Sequence, residues 1–190
     1  MAEEILPINY ESLHSYTRKY EGASWATGYW PGGNSGITVA SGFDLGAHSP
    51  DDLVRLGFSD NLKKKLIDSG LLGVKGAAAK KTAPYDKKHR KNLNWNLTLT
   101  NDEVVEILGK VTRYKANRIA TNYNAVKGNN AFQKLPQPLQ NTIYSVMYQM
   151  GENATDTDFF KQVTSDDWEG MVENLKDFRS WKTVRDKKTG

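Results

Sequence analysis

Between Gly36 and Gly46 the chain reads Gly-Ile-Thr-Val-Ala-Ser-Gly-Phe-Asp-Leu-Gly, and this stretch constrains the fold most tightly. It forms a compact, glycine-rich scaffold on which one hydroxyl, Thr38, and one carboxylate, Asp44, are mounted. The two lie six positions apart, an even separation. Read as one extended run, both side chains project from the same face, because strand side chains alternate with period two. Gly42 then lies between them on that face and leaves room for a substrate ring or a water.

A second carboxylate approaches from a different element. Tyr10, Leu13, Tyr16, Thr17 and Tyr20 are spaced as one stripe of a helix. Asn9 suits its N-cap, Glu11 its first turn, and Gly22 its C-terminal stop. Glu21 then sits at the negative end of the helix dipole beside Tyr20 and Trp25. Dipole and partial burial both disfavour its ionised form and should raise its pKa. A general acid needs such a rise. Asp44, framed by glycines in a wetter site, is expected to stay ionised and act as base. Two acids on opposite sides of a scissile bond are the minimum equipment for hydrolysing a glycosidic linkage. The plainer reading makes Glu21 an ordinary helix-end carboxylate and Asp44 the cap of a turn.

The pattern Gly36-x-Thr38 followed by Gly42-x-Asp44-Leu45-Gly46, with Glu21 closing the first helix, resembles phage-type lysozymes. It looks closest to their pesticin-like branch of bacteriocins, endolysins and secreted effectors. Further along, Tyr148-Gln149-Met150-Gly151-Glu152 resembles the end of the long central helix of these lysozymes. Phe159, Phe160, Trp168, Asn174-Leu175 and Trp181 follow the order of their C-terminal helices, so the resemblance runs from about residue 9 to 185. It implies an N-acetylmuramidase of peptidoglycan with Glu21, Thr38 and Asp44 as catalytic residues, and inversion at the anomeric carbon. Gln149, matching the Gln-Met-Gly motif, would line the substrate site. Such lysozymes place an arginine after the last tryptophan to pair with the catalytic Glu. Only Arg185 stands there, closer to Trp181 than expected. Two other classes compete: a non-catalytic peptidoglycan-binding module of the same fold, and a chitinase-like glycosidase.

The 190 residues suffice for one substantial domain, and 38% hydrophobic with 25% charged residues describe a globular chain. Without cysteine there are no disulfides and no thiolate metal site. His14, His48 and His89 are scattered, so neither metal nor cofactor is expected. The net charge of +4 suggests an anionic partner. Lys75, Lys80, Lys81, Lys87, Lys88, Arg90 and Lys91 concentrate it against Asp86 alone, which suits a polyanionic wall or a solvated loop. These lysines lack interleaved aromatics, which argues against nucleic acid. Met-Ala-Glu-Glu-Ile-Leu-Pro has no signal-peptide character and no window approaches a membrane span. Action on the cell wall or periplasm would therefore need a holin, a secretion machine or a larger fusion. A monomer is expected, partnered by an immunity protein if the chain is an effector. The endolysin is favoured, as a compact chain starting at Met1 needs no further delivery domain in a phage.

Organisation along the chain is α+β. One lysozyme-like catalytic domain, 1–190, is expected, with a small lobe at about 22–70, a helical lobe at about 96–190 plus the first helix at 9–21, and a cleft between them. The β-region falls at about 25–46, with Pro31-Gly32-Gly33-Asn34 as its loop. Ser49 and Ser59 open short helices, the second ending by Gly70. Residues 70–95 read as irregular, with one short helix through the alanines. Thr100 and Glu103 make a capping box ahead of a helix whose Val104, Ile107, Leu108, Val111 and Tyr114 share one face. Pro136 and Pro138 precede a helix through Met150. A shorter helix carries Phe159, Phe160 and Val163, and Ser165 caps the next. Trp168 and Trp181 read as core, while Trp25, Tyr29 and Trp30 flank the catalytic run, and Tyr29 and Trp30 are candidate substrate contacts.

Overall fold

The computed structural model describes residues 7–21, 25–82, 85–86, 91–92 and 97–176, with the backbone alone at 17–21, 25, 85–86 and 91–92. Helix α1 (Tyr10–Glu21) begins where the Asn9 side chain accepts the Ser12 amide at 2.9 Å, relieving one of the amides its first turn leaves unpaired. Strands β1 (Trp25–Tyr29), β2 (Thr38–Ala40) and β3 (Phe43–Asp44) form an antiparallel sheet in that order.

The run from Thr38 to Asp44 is therefore not one extended strand. It reverses through Ala40-Ser41-Gly42, which sets Val39 opposite Phe43 and Thr38 opposite Asp44. Gly42 sits in that turn at φ 98°, not on the face between them. Left-handed backbone suits glycine, whereas Ala40 adopts φ 49° at a cost of about 1 kcal/mol. Reversal buries Ile37, Val39, Phe43 and Leu45 together, and each buried side chain of this size contributes about 1.5–3 kcal/mol.

A 3-10 turn (Leu45–Ala47) leads to α2 (Pro50–Arg55) and α3 (Asp60–Asp68). Ser49 and Asp52 close a capping box on α2, Ser59 caps α3, and Gly70 follows at φ 68°. The expected alanine helix is α4 (Gly76–Lys81). Beyond it, β4 (Tyr85–Asp86) pairs with β5 (Lys91–Asn92), a ladder the composition did not suggest.

Helix α5 (Asn101–Lys127) is entered through the Thr100–Glu103 box, both reciprocal bonds being present at 2.7 and 3.2 Å. Then come α6 (Ala131–Lys134), α7 (Gln137–Met150), α8 (Asp158–Thr164) and α9 (Trp168–Lys176). Two expectations are corrected here. Ser165 does not cap α9; it ends α8, its hydroxyl donating to the Gln162 carbonyl, and the Asp167 carboxylate accepts the Gly170 amide at 2.9 Å instead. The Gln-Met-Gly segment closes the 14-residue α7, whereas the longest described helix is the 27-residue α5.

The chain divides into two compact units, with boundaries inside α1 and α5. Arg18–Thr112 carries the three-stranded sheet, α2, α3 and α4 around a core that includes Leu53, Leu62 and Leu66. The other, up to Thr17 and from Arg113, is helical, with Leu13, Ile119, Tyr123, Phe132, Tyr144 and Phe159 buried in one cluster. Trp168 packs against that cluster, as its helical spacing suggested. The architecture is α+β. Among the described residues no helix is long and apolar enough to cross a membrane.

Candidate active site

Thr38 lies in the middle of the sheet, paired with Tyr29 on β1 and with Asp44 on β3. Residues directly opposite across antiparallel strands share a face, with Cβ atoms about 4.5–5.5 Å apart. Tyr29, Thr38 and Asp44 thus form a row across the three strands. The hydroxyl and the carboxylate do share a face, but through cross-strand pairing, not alternation along one strand. Thr38 is 5% exposed and Tyr29 36%, so the row runs from a buried centre to an open edge. An irregularity between Trp25 and Tyr29 sets this register. Gly28 sits within it at φ 75°, and a Cβ there would press 3.0 Å from both Ile37 Cγ2 and Val39 Cγ1.

Asp44 is held by backbone. The Gly36 amide donates to both its oxygens, at 3.0 Å to Oδ1 and 3.2 Å to Oδ2, and the Gly46 amide donates to Oδ1 at 2.8 Å. Asp44 therefore does cap the 3-10 turn that follows, as the plainer reading of the sequence had it. Capping leaves the carboxylate half-buried, oriented, and with acceptor capacity on Oδ2. The glycines that hold it were not picked out as site residues by sequence reasoning. Their signal was present: an aspartate two residues before a glycine is the signature of a side chain bonding its own backbone two residues on.

Trp30 closes onto the loop between β1 and β2. Its Nε1 donates to the Ser35 carbonyl at 3.1 Å, and the same carbonyl accepts the Gly76 amide at 3.0 Å. The Lys80 ammonium stands 5.5 Å from the centre of the Trp30 ring, and the Lys75 side chain packs along Gly46. The basic segment thus meets the scaffold of Asp44 through α4. Among the described residues no group of three or more histidine or acidic side chains converges as a metal site would need.

Compared with protein families, residues 13–169 match the model described as pesticin, the bacterial toxin homologue of phage lysozyme, C-terminal part. That span covers most of the chain. The chain belongs to the pesticin family. Its fold is accordingly lysozyme-like, and membership supports a glycoside hydrolase kind of activity of the muramidase type on peptidoglycan. A search of the curated proteins finds no match.

The remaining pesticin-type candidates distribute as follows. Glu21 is the last residue of α1, as expected of the acid that closes the first helix. Its side chain, like that of Trp25, lies outside the described residues, as do Gly22, Trp181 and Arg185 and the side chains of Lys87, Lys88, Arg90 and Lys91. Gln149 is exposed on the last turn of α7, in the helical unit. Gly151 ends that helix at φ 106°, and Glu152 lies beyond it, its carbonyl accepting from Asn122 Nδ2 at 2.8 Å.

Proposed function

We propose that this pesticin-family chain is an N-acetylmuramidase that hydrolyses the β-1,4 bond between N-acetylmuramic acid and N-acetylglucosamine. The observation that carries this reading is the pairing of Thr38 with an Asp44 carboxylate fixed by two amides, on the one scaffold. Glu21 protonates the leaving oxygen. Asp44 holds and deprotonates the attacking water, with the Thr38 hydroxyl as a second ligand for that water. A water between the base and the sugar implies inversion, with the two carboxyls about 6.5–9.5 Å apart. Tyr29 and Trp30 supply aromatic surface to the glycan, and Gln149 hydrogen-bonds its hydroxyl or acetamido groups. The family match, over residues 13–169, includes parts of both compact units, and we take 1–190 as one catalytic domain.

The test is to digest purified peptidoglycan, reduce the products with borohydride and identify the terminal sugar by mass spectrometry. Reduced N-acetylmuramic acid at the new ends supports a muramidase. Binding without new ends supports the non-catalytic module, and turnover of unsubstituted N-acetylglucosamine oligomers supports the chitinase-like enzyme.

Delivery belongs to the same proposal. As an endolysin the chain reaches the wall through a holin; as an antibacterial effector it obliges the producing cell to keep an immunity protein. A stoichiometric inhibitor captured from producing cells identifies the effector. Lysis dependent on a holin, without such an inhibitor, identifies the endolysin.

A further inference from the structure

Gly36 and Gly46 come together at the Asp44 carboxylate more closely than two residues with side chains could. A Cβ on Gly36 would run into Asp44 Oδ1 and into the backbone of Gly46. One on Gly46 would run into the Val74 carbonyl oxygen and lie 2.7 Å from Gly36 Cα. The segment behind is tied in place, since the Gly73 amide donates to the Leu45 carbonyl at 3.2 Å. Both glycines are buried, so their amides reach the carboxylate without competition from bulk water. A free aspartate side chain samples several rotamers. One bound by three N–H···O contacts from two directions is confined to one.

We propose that Gly36 and Gly46 are positioning residues for the base step. Their amides, able to converge because neither residue carries a side chain, aim Oδ2 of Asp44 at the attacking water. This rests on the reading of Asp44 as base. Oδ1 takes the two shorter bonds, 2.8 and 3.0 Å, while Oδ2 takes one at 3.2 Å and keeps acceptor capacity for a further partner. In the step itself the water oxygen bonds to the anomeric carbon as the bond to the leaving oxygen breaks. The water proton passes to Oδ2, and the Glu21 proton passes to the leaving oxygen.

Gly36→Ala is the decisive variant, because its methyl group displaces the carboxylate directly. A misplacement of about 1 Å lowers turnover about 100-fold, so kcat should fall to that degree with KM for soluble glycan chains changed less than about threefold. A glycine needed only for folding would lower the melting temperature and leave kcat per folded molecule unchanged, which would overturn the proposal. If Gly36→Ala does not fold, amide exchange in the folded wild type decides. The Gly36 and Gly46 amides should be protected, remain so in Asp44→Asn, and lose protection in Asp44→Ala. Exchange of both in the wild type at open-loop rates would also overturn it. An Asp44→Asn enzyme that keeps its turnover would instead overturn the base assignment, and leaves the protection of the two amides as a separate result.

Discussion

An aspartate two residues ahead of a glycine can accept that glycine's amide, and Asp44 does so with Gly46 while also receiving Gly36. The residue assigned as base is thus also the cap that joins β3 to the loop before β2. These two demands separate by substitution. Asp44→Ala leaves two buried amides without their acceptor and should destabilise the fold by about 2 kcal/mol. Asp44→Asn keeps an acceptor oxygen and should cost less than about 1 kcal/mol. Both should lose turnover, because neither side chain takes up a proton from water. Denaturant unfolding beside a lytic assay measures the difference. The Thr38–Asp44 pair was legible in the sequence as an even spacing, but its geometry was not. Residues six apart share a face whether they follow one strand or oppose each other across a short hairpin. Only the turn distinguishes the two: Ser41-Gly42, with Gly42 at φ 98°, carries a turn signature that the reading as one extended run passed over, while Ala40 at φ 49° carries none.

At the scale of elements, the helix starts were the most legible part because capping is local chemistry. Asn9, Ser49, Ser59 and Thr100 all act as their sequence contexts suggest. The exception, Ser165, stands two residues ahead of another capable side chain, Asp167. Asp166, between them, adopts a left-handed φ of 61°, which aspartate tolerates, and the Asp167 carboxylate accepts the Gly170 amide. Thr100→Ala removes the hydroxyl that accepts the Glu103 amide and should cost about 1 kcal/mol in thermal or denaturant unfolding. Glu103 also meets the Lys65 ammonium at 2.6 Å. Burial pushes its carboxyl up, but the hydrogen bonds from Lys65 and from the Thr100 amide outweigh it, and the pKa is lowered. A depressed folded pKa gives stability that is present above the unfolded value and lost as pH falls through the folded one. The melting temperature should therefore drop in acid below the ordinary carboxylate range. Glu103→Gln should begin less stable and flatten that drop, and melting curves across the pH range measure both.

Over the whole molecule, the family could be read from a few residues in order, whereas the small β4–β5 ladder and α6 left no trace in hydrophobic periodicity. Such short elements are held by their neighbours, not by propensity. Net charge acts at this scale too. With +4 overall and Lys75, Lys80 and Lys81 exposed around α4, attraction to a polyanionic wall should be screened by salt, since the Debye length falls from about 10 Å at 0.1 M to about 3 Å at 1 M. Lysis of intact cells should slow across that range more than cleavage of short soluble glycans, which turbidity and product assays compare. In the proposed mechanism Glu21 and Asp44 divide acid and base work on a glycosidic bond. The most direct measurement of that division is the release of new reducing ends from purified peptidoglycan by wild-type, Glu21→Gln and Asp44→Asn proteins of matched folded concentration. Each substitution should lower the rate by about 100-fold or more. Near-normal release by folded Glu21→Gln would show that Glu21 is not the acid.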